Sequence, residues 1–252
     1  MTVQRNQVAA ILIAFGLASA LQAETAVEVA IRIQKAIDDG TPPAWMNPVL
    51  PENIQKNVQN KGKTLAQHLK LGNEEKEARV ASLLAEHYGR VWAWHQQIDQ
   101  ELEAAWTAWD EARDPAKGGK DELKALTVMV EQIDPIYAQF APQIQNLLQA
   151  LHQILTDEQI TALLDQITRS PGVDRTYNAY LEMVPQMKDS EKKIIRQRLE
   201  QARLDSLAAW TEKEIVRIFK KYKLRNEFSI DYFGYGYREH YKAWVERNKQ
   251  AK

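Results

Sequence analysis

Residues 73–113 carry apolar side chains on a helical period with no proline to interrupt them, and this stretch commits the chain to a helical fold. At about 100° per residue, Val80, Leu84, Val91, Ile98, Leu102 and Trp109 fall in one narrow arc, the stripe a long helix buries against its neighbours. Asn73 is placed to accept from first-turn amides, and Glu74 and Glu75 sit where the helix dipole favours negative charge. Asp114-Pro115 and Gly118-Gly119 end the element.

The remaining segments point the same way. Residues 24–39, apolar at Val27, Ile31, Ile33 and Ile37, predict a short helix. Residues 40–51 contain Pro42, Pro43, Pro48 and Pro51 and predict an irregular connector, pinned to the body by Trp45 and Met46. The helical period continues from 121 to 155, but Pro135 and Pro142 divide that stretch into two or three pieces. Thr156 to Gln159 and Thr211 to Glu214 both have the spacing of a capping box. Further helices are expected near 176–183, over 190–210, and from Tyr237 through Tyr241, Trp244 and Val245. Period-two alternation is almost absent. The expectation is an all-α protein, a multi-helix bundle with one long helix and kinked or broken companions.

The first residues have the layout of a cleavable export signal. Arg5 is followed by an apolar run over 8–17, then by the small residues Ala18-Ser19-Ala20, with Ala23 as a second cleavage point. The chain is therefore expected to divide into a signal peptide at 1–23, an N-terminal helix and Pro-rich connector at 24–68, and a helical domain at 69–252. A periplasmic or secreted location follows. No later segment approaches the ~18 apolar residues of a stable membrane span.

Charge and residue usage narrow the chemistry. Lys plus Arg is 33 against 34 Asp plus Glu, so the chain lacks the basic excess that draws phosphates, and nucleic acid is not an expected partner. The absence of cysteine removes disulfides, thiolate metal sites and a Cys nucleophile. His87 and His95 are two turns apart, roughly 12 Å along a helix, too far to share one zinc ion. His68, His152 and His240 stand alone. With no metal-binding spacing, no GxSxG and no Gly-rich phosphate loop, neither a cofactor nor a catalytic residue is expected, and a non-enzymatic role is favoured.

Two aromatic features remain. Tyr88, Trp92, His95, Asp99 and Trp106 form a second strip beside the core arc of 73–113, with His95 and Asp99 four residues apart and within reach of each other. Such a strip is either a helix–helix seam or the lining of a sugar site, where rings stack on the sugar face and polar groups fix hydroxyls. The C-terminal part is dense in Tyr222, Phe228, Tyr232, Phe233, Tyr235, Tyr237, Tyr241 and Trp244, which either seal the end of the bundle or face a partly wet binding surface.

The order of several motifs is also familiar. Lys76, Arg79-Val80, Tyr88, His95, Asp99, Leu155-Thr156-Asp157-Glu158-Gln159, Thr176-Tyr177, Ala179-Tyr180-Leu181, Ala202-Arg203, Lys221-Tyr222-Lys223, Gly234-Tyr235 and Trp244 together resemble domain of unknown function 3826 over about residues 69–248. This is an uncharacterised family of secreted bacterial proteins to which a sugar-binding label is attached. The chain departs from its pattern at Asp205, Ala208, Leu224, 225–228 and Gly236. The resemblance implies an exported, helical, glycan-associated protein and supplies no catalytic residues. Its motifs, with the His95–Asp99 spacing, predict one binding groove built from His95, Asp99, Tyr177, Tyr180, Arg203 and Lys223. An internal Arg203–Asp99 ion pair is the structural alternative. The expected partner is a carbohydrate or envelope glycan. The Leu155-Thr156-x-x-Gln159 pattern keeps a chaperone-like, protein-binding module as the second reading.

Overall fold

The structure is a computed structural model that describes residues 24–113, 121–168 and 172–250. The signal-peptide reading falls on 1–23, and the turn signals at 114–119 likewise lie outside the described residues.

Helix α1, Ala26–Asp38, opens on a capping box in which Thr25 accepts from the Glu28 amide and the Glu28 carboxylate accepts from the Thr25 amide. It buries Val29 and Ile33 and leaves Val27 and Ile31 68% and 62% exposed. The prolines then hold the chain in an extended course broken by one 3-10 turn, Ala44–Met46. As expected, Trp45 and Met46 pin it: the Trp45 ring lies 5.0 Å from Phe140, and Arg90 donates to the Met46 carbonyl at 2.9 Å.

Helix α2, Glu52–His68, has no counterpart in the sequence reading. Its side chains are mostly polar, and it buries only Val58, Gly62, Leu65 and Ala66, too sparse a stripe to stand out as a period. It packs against α3, Glu74–Ala112, the long helix, whose N-cap Asn73 accepts from the Lys76 amide at 2.8 Å. Gly62 marks the point of closest approach, for a Cβ there would lie 2.4 Å from the Ala81 carbonyl oxygen.

The proline-divided stretch becomes α4, Glu122–Val128, a π turn over Met129–Ile133, α5, Asp134–Ala138, and α6, Ala141–His152. Pro135 and Pro142 each sit in the first turn of a piece, where a missing amide costs least. Helix α7, Asp157–Ile167, starts on the expected capping box at Thr156 and Gln159. Helix α8 is Gly172–Met183, and α9, Asp189–Asp205, is shorter than expected. After Asp205 the chain tightens into a 3-10 turn, Ser206–Ala208, and Ala209 turns extended before α10, Glu212–Tyr232, and α11, Tyr237–Gln250.

One apolar core joins α1 through α7 with the ends of α9 and α10, so the segments at 24–68 share their core with the rest. A second cluster, centred on Tyr180, Val184, Ile195 and Ile230, ties α8 and α9 to the far half of α10, with Tyr237 and Trp244 of α11 packed on it. The described residues contain no strand, and none of their helices is long and apolar enough to cross a membrane.

Candidate functional site

The polar groups of the main core gather where α3, α5 and α10 meet. The His95 ring, 4% exposed, has Nδ1 within hydrogen-bond distance of Asp99 at 2.7 Å and Nε2 of the Ala208 carbonyl at 3.0 Å. Both partners offer only acceptor oxygens, so a proton on either ring nitrogen finds one. Glu214 lies 3.5 Å from Nε2 and accepts from the Tyr137 hydroxyl at 2.6 Å and the Trp210 amide at 2.9 Å. Burial raises the Glu214 carboxyl above its ordinary value, and the nearby His95 charge opposes that. The same burial, reinforced by Glu214, pushes the Tyr137 phenol well up.

Thr211 caps α10 by accepting from the Glu214 amide, but the Glu214 side chain reaches past it to Trp210. The second expected capping box is therefore half formed, because Glu214 is drawn inward by Tyr137 and His95. Two turns on, Lys221 is fully buried and donates to Asp134 at 2.8 Å and Asp205 at 3.3 Å. Asp134 also pairs with Arg225, and Asp205 accepts from the Tyr222 hydroxyl at 2.7 Å. Every charge here has a partner, as a buried ionic cluster requires.

The six side chains expected to share one groove fall into separate groups. His95 and Asp99 are paired, but within the core network. Tyr88 and Trp106, from the same aromatic strip, are buried too, Trp92 is half-buried and Asp99 reaches the surface, so most of the strip is a helix–helix seam. Arg203, 4% exposed, pairs with Asp165 at 2.9 Å and Glu200 at 3.4 Å rather than with Asp99. Tyr180 is buried in the second cluster, its hydroxyl 3.5 Å from the Lys223 carbonyl. The Lys223 ammonium is exposed, 3.7 Å from Glu227 and 5.9 Å from the Tyr241 ring. Tyr177 meets the Arg196 guanidinium at 5.4 Å. Of the C-terminal rings only Tyr222 is buried; Tyr237 and Tyr241 stack at 5.8 Å and Tyr241 and Trp244 at 6.4 Å in a half-buried row, with Tyr232 and Tyr241 exposed.

The open cavity lies elsewhere. It has a volume of about 810 Å³ and opens between α2, α3, α7 and the amino-terminal turn of α10. Tyr88 and half-buried Trp210 give it aromatic walls, and Lys61, Asp165, Gln166 and Glu212 give it polar groups. The Lys61 ammonium sits 3.6 Å from the centroid of Tyr88 and 5.8 Å from that of Trp210. Burial pushes this amine down to about 8. Burial also raises the carboxyl of Asp165, against the pull of Arg203. Behind Tyr88, His87 donates from Nε2 to the Leu207 carbonyl at 2.9 Å and is held neutral, its value pushed down to about 4 chiefly by burial.

Sequence reasoning missed Lys61, Trp210, Gln166 and Glu212 as site residues. Lys61 lies on a helix that the hydrophobic pattern did not reveal. Trp210 falls at the end of the helix expected over 190–210, whereas the structure ends that helix at Asp205 and presents Trp210 from the turn that follows. The one available signal was a tryptophan immediately ahead of the Thr211 cap, where the chain must change direction.

No curated protein matches the chain. A family model described as "Protein of unknown function (DUF3826)" matches residues 55–250, from within α2 to the end of α11. That description carries no sugar-binding assignment, so the label attached to the resemblance is not supported. The match spans the cavity, the ionic network, the second cluster and most of the main core, and the chain belongs to the DUF3826 family.

Proposed function

We propose that this is an exported, non-enzymatic protein that binds a saccharide in the cavity between α2, α3, α7 and α10. The observation that carries the reading is the lining of that cavity. Trp210 offers an apolar face to sugar C–H groups, while Asp165, Gln166 and Glu212 offer the carboxylate and amide groups that pair with hydroxyls. Its volume of about 810 Å³ lies within the ~300–1,000 Å³ typical of small-molecule sites. Export rests on the Arg5, apolar-run and Ala18-Ser19-Ala20 pattern of the first residues.

The test is a glycan array probed with the protein lacking residues 1–23, beside its Trp210→Ala variant. The expected outcome is binding to a defined set of oligosaccharides, weakened about ten-fold or more in the variant, a change worth about 1.4 kcal/mol. The two melting curves show whether the variant is still folded. Equal binding by both proteins would remove Trp210 from the site. Absence of binding to every glycan would overturn the proposal and leave the exposed Val27 and Ile31 strip of α1 as the surface to test for a protein partner.

A further inference from the structure

Among the described residues Lys61 is the one cation in the wall of the cavity, and its surroundings do not complete its chemistry. Of the groups about it, Tyr88 and His87 come from α3, the first offering a ring and the second held neutral. From α7, Asp165 is engaged by Arg203. From α10, Glu212 stands exposed in the first turn, where the positive end of the helix dipole also lies. Among the described residues Lys61 makes neither an ion pair nor a hydrogen bond. The Tyr88 face satisfies the charge in part, but it leaves the three N–H donors of an ammonium without a protein acceptor among the described residues, open to whatever occupies the cavity.

A partly desolvated cation at the wall of an open cavity, held by a ring and short of acceptors, is the arrangement an anionic ligand completes. Resting on the saccharide reading above, we infer that the saccharide carries an anionic substituent, a uronate carboxylate or a sulfate ester, which the Lys61 ammonium binds. The carbohydrate ring lies against Trp210, and the anion takes the acceptor role that Asp165, committed to Arg203, does not fill. Binding holds the proton on Lys61. Affinity for the anionic sugar is therefore highest below about pH 8 and falls as the free amine loses its charge above that value.

The experiment uses isothermal titration calorimetry with three probes of equal length on the protein lacking residues 1–23: galactotriose, the galacturonate trisaccharide, and galactotriose sulfated at O6. The expected result at pH 7 is binding of at least one anionic probe about ten-fold or more tightly than galactotriose. Whichever anionic probe binds identifies carboxylate or sulfate as the source. That preference should shrink between pH 7 and pH 9.5. It should disappear in Lys61→Met and be largely retained in Lys61→Arg. Equal affinity for neutral and anionic probes would overturn the inference and leave saccharide binding standing, whereas binding of none of the three would overturn it along with its premise. The comparison of probes is made on the unaltered protein, so it does not depend on either variant folding.

Discussion

Lys221→Met is expected to cost about 3–5 kcal/mol of folding stability, the range for breaking a buried ion pair by removing one partner. The ammonium is fully buried and lies between Asp134 and Asp205, whose side chains are 12% and 15% exposed. Methionine fills similar space but leaves those carboxylates facing each other. Asp134 keeps Arg225 and Asp205 keeps the Tyr222 hydroxyl, so the loss stays within that range rather than above it. Lys223→Met, two residues along the same helix, is the control. Its side chain is 51% exposed and 3.7 Å from Glu227, an arrangement worth roughly 0–1 kcal/mol. Urea denaturation of the two variants measures the difference, and similar midpoints would show that the Lys221 cluster is not a buried ionic network.

Gly62→Ala is expected to lower stability by about 2 kcal/mol, although alanine is the better helix former. Propensity alone would gain about 1 kcal/mol. Against it, the new Cβ would stand 2.4 Å from the Ala81 carbonyl oxygen and 2.9 Å from the Ala85 amide nitrogen. Both are backbone atoms of α3, so the helices must separate, at the upper end of the ~1–3 kcal/mol or more that overpacking costs. Gly89→Ala supplies the contrast, because its Cβ would meet only the Leu50 side chain, at 2.9 Å, and that side chain can rotate. Thermal melts should therefore show a clear loss at position 62 and little change at 89. A neutral Gly62→Ala would mean that α2 and α3 are not in such close contact.

What the sequence showed clearly was local. The Asn73 cap, the Thr156 capping box and the prolines that divide 121–155 act within a few residues, and each element stands where those signals put it. Helix α2 escaped notice because its buried face consists of one glycine, one alanine and two larger apolar residues. The long helix was legible as a helix but not by its faces. Packed on more than one side, it buries the arc through Val80 and Val91 and the strip through Tyr88 and His95 alike, so a wheel cannot tell seam from groove. The cavity was illegible for a different reason. Lys61, Tyr88, Asp165 and Trp210 come from four parts of the chain, and only tertiary packing joins them. The His95–Asp99 pair follows from its four-residue spacing, whereas Arg203 pairs with Asp165 and Glu200 and not with Asp99, because Asp165 is brought to it by tertiary packing.

The most direct test of a saccharide site at this cavity is the indole N–H spectrum of protein labelled with ¹⁵N-tryptophan, recorded while galactotriose or the galacturonate trisaccharide is added. The chain has 7 tryptophans, so each signal can be assigned by single substitution. Trp94, Trp106 and Trp109 are buried in the main core, Trp244 lies at the far end against Glu182, and Trp210 alone of these lines the cavity. The account predicts that the Trp210 signal shifts in a saturable way with at least one of the two sugars, while those of Trp94, Trp106, Trp109 and Trp244 stay in place. A saturable shift at Trp244 with Trp210 unmoved, or no shift at any indole, would contradict it.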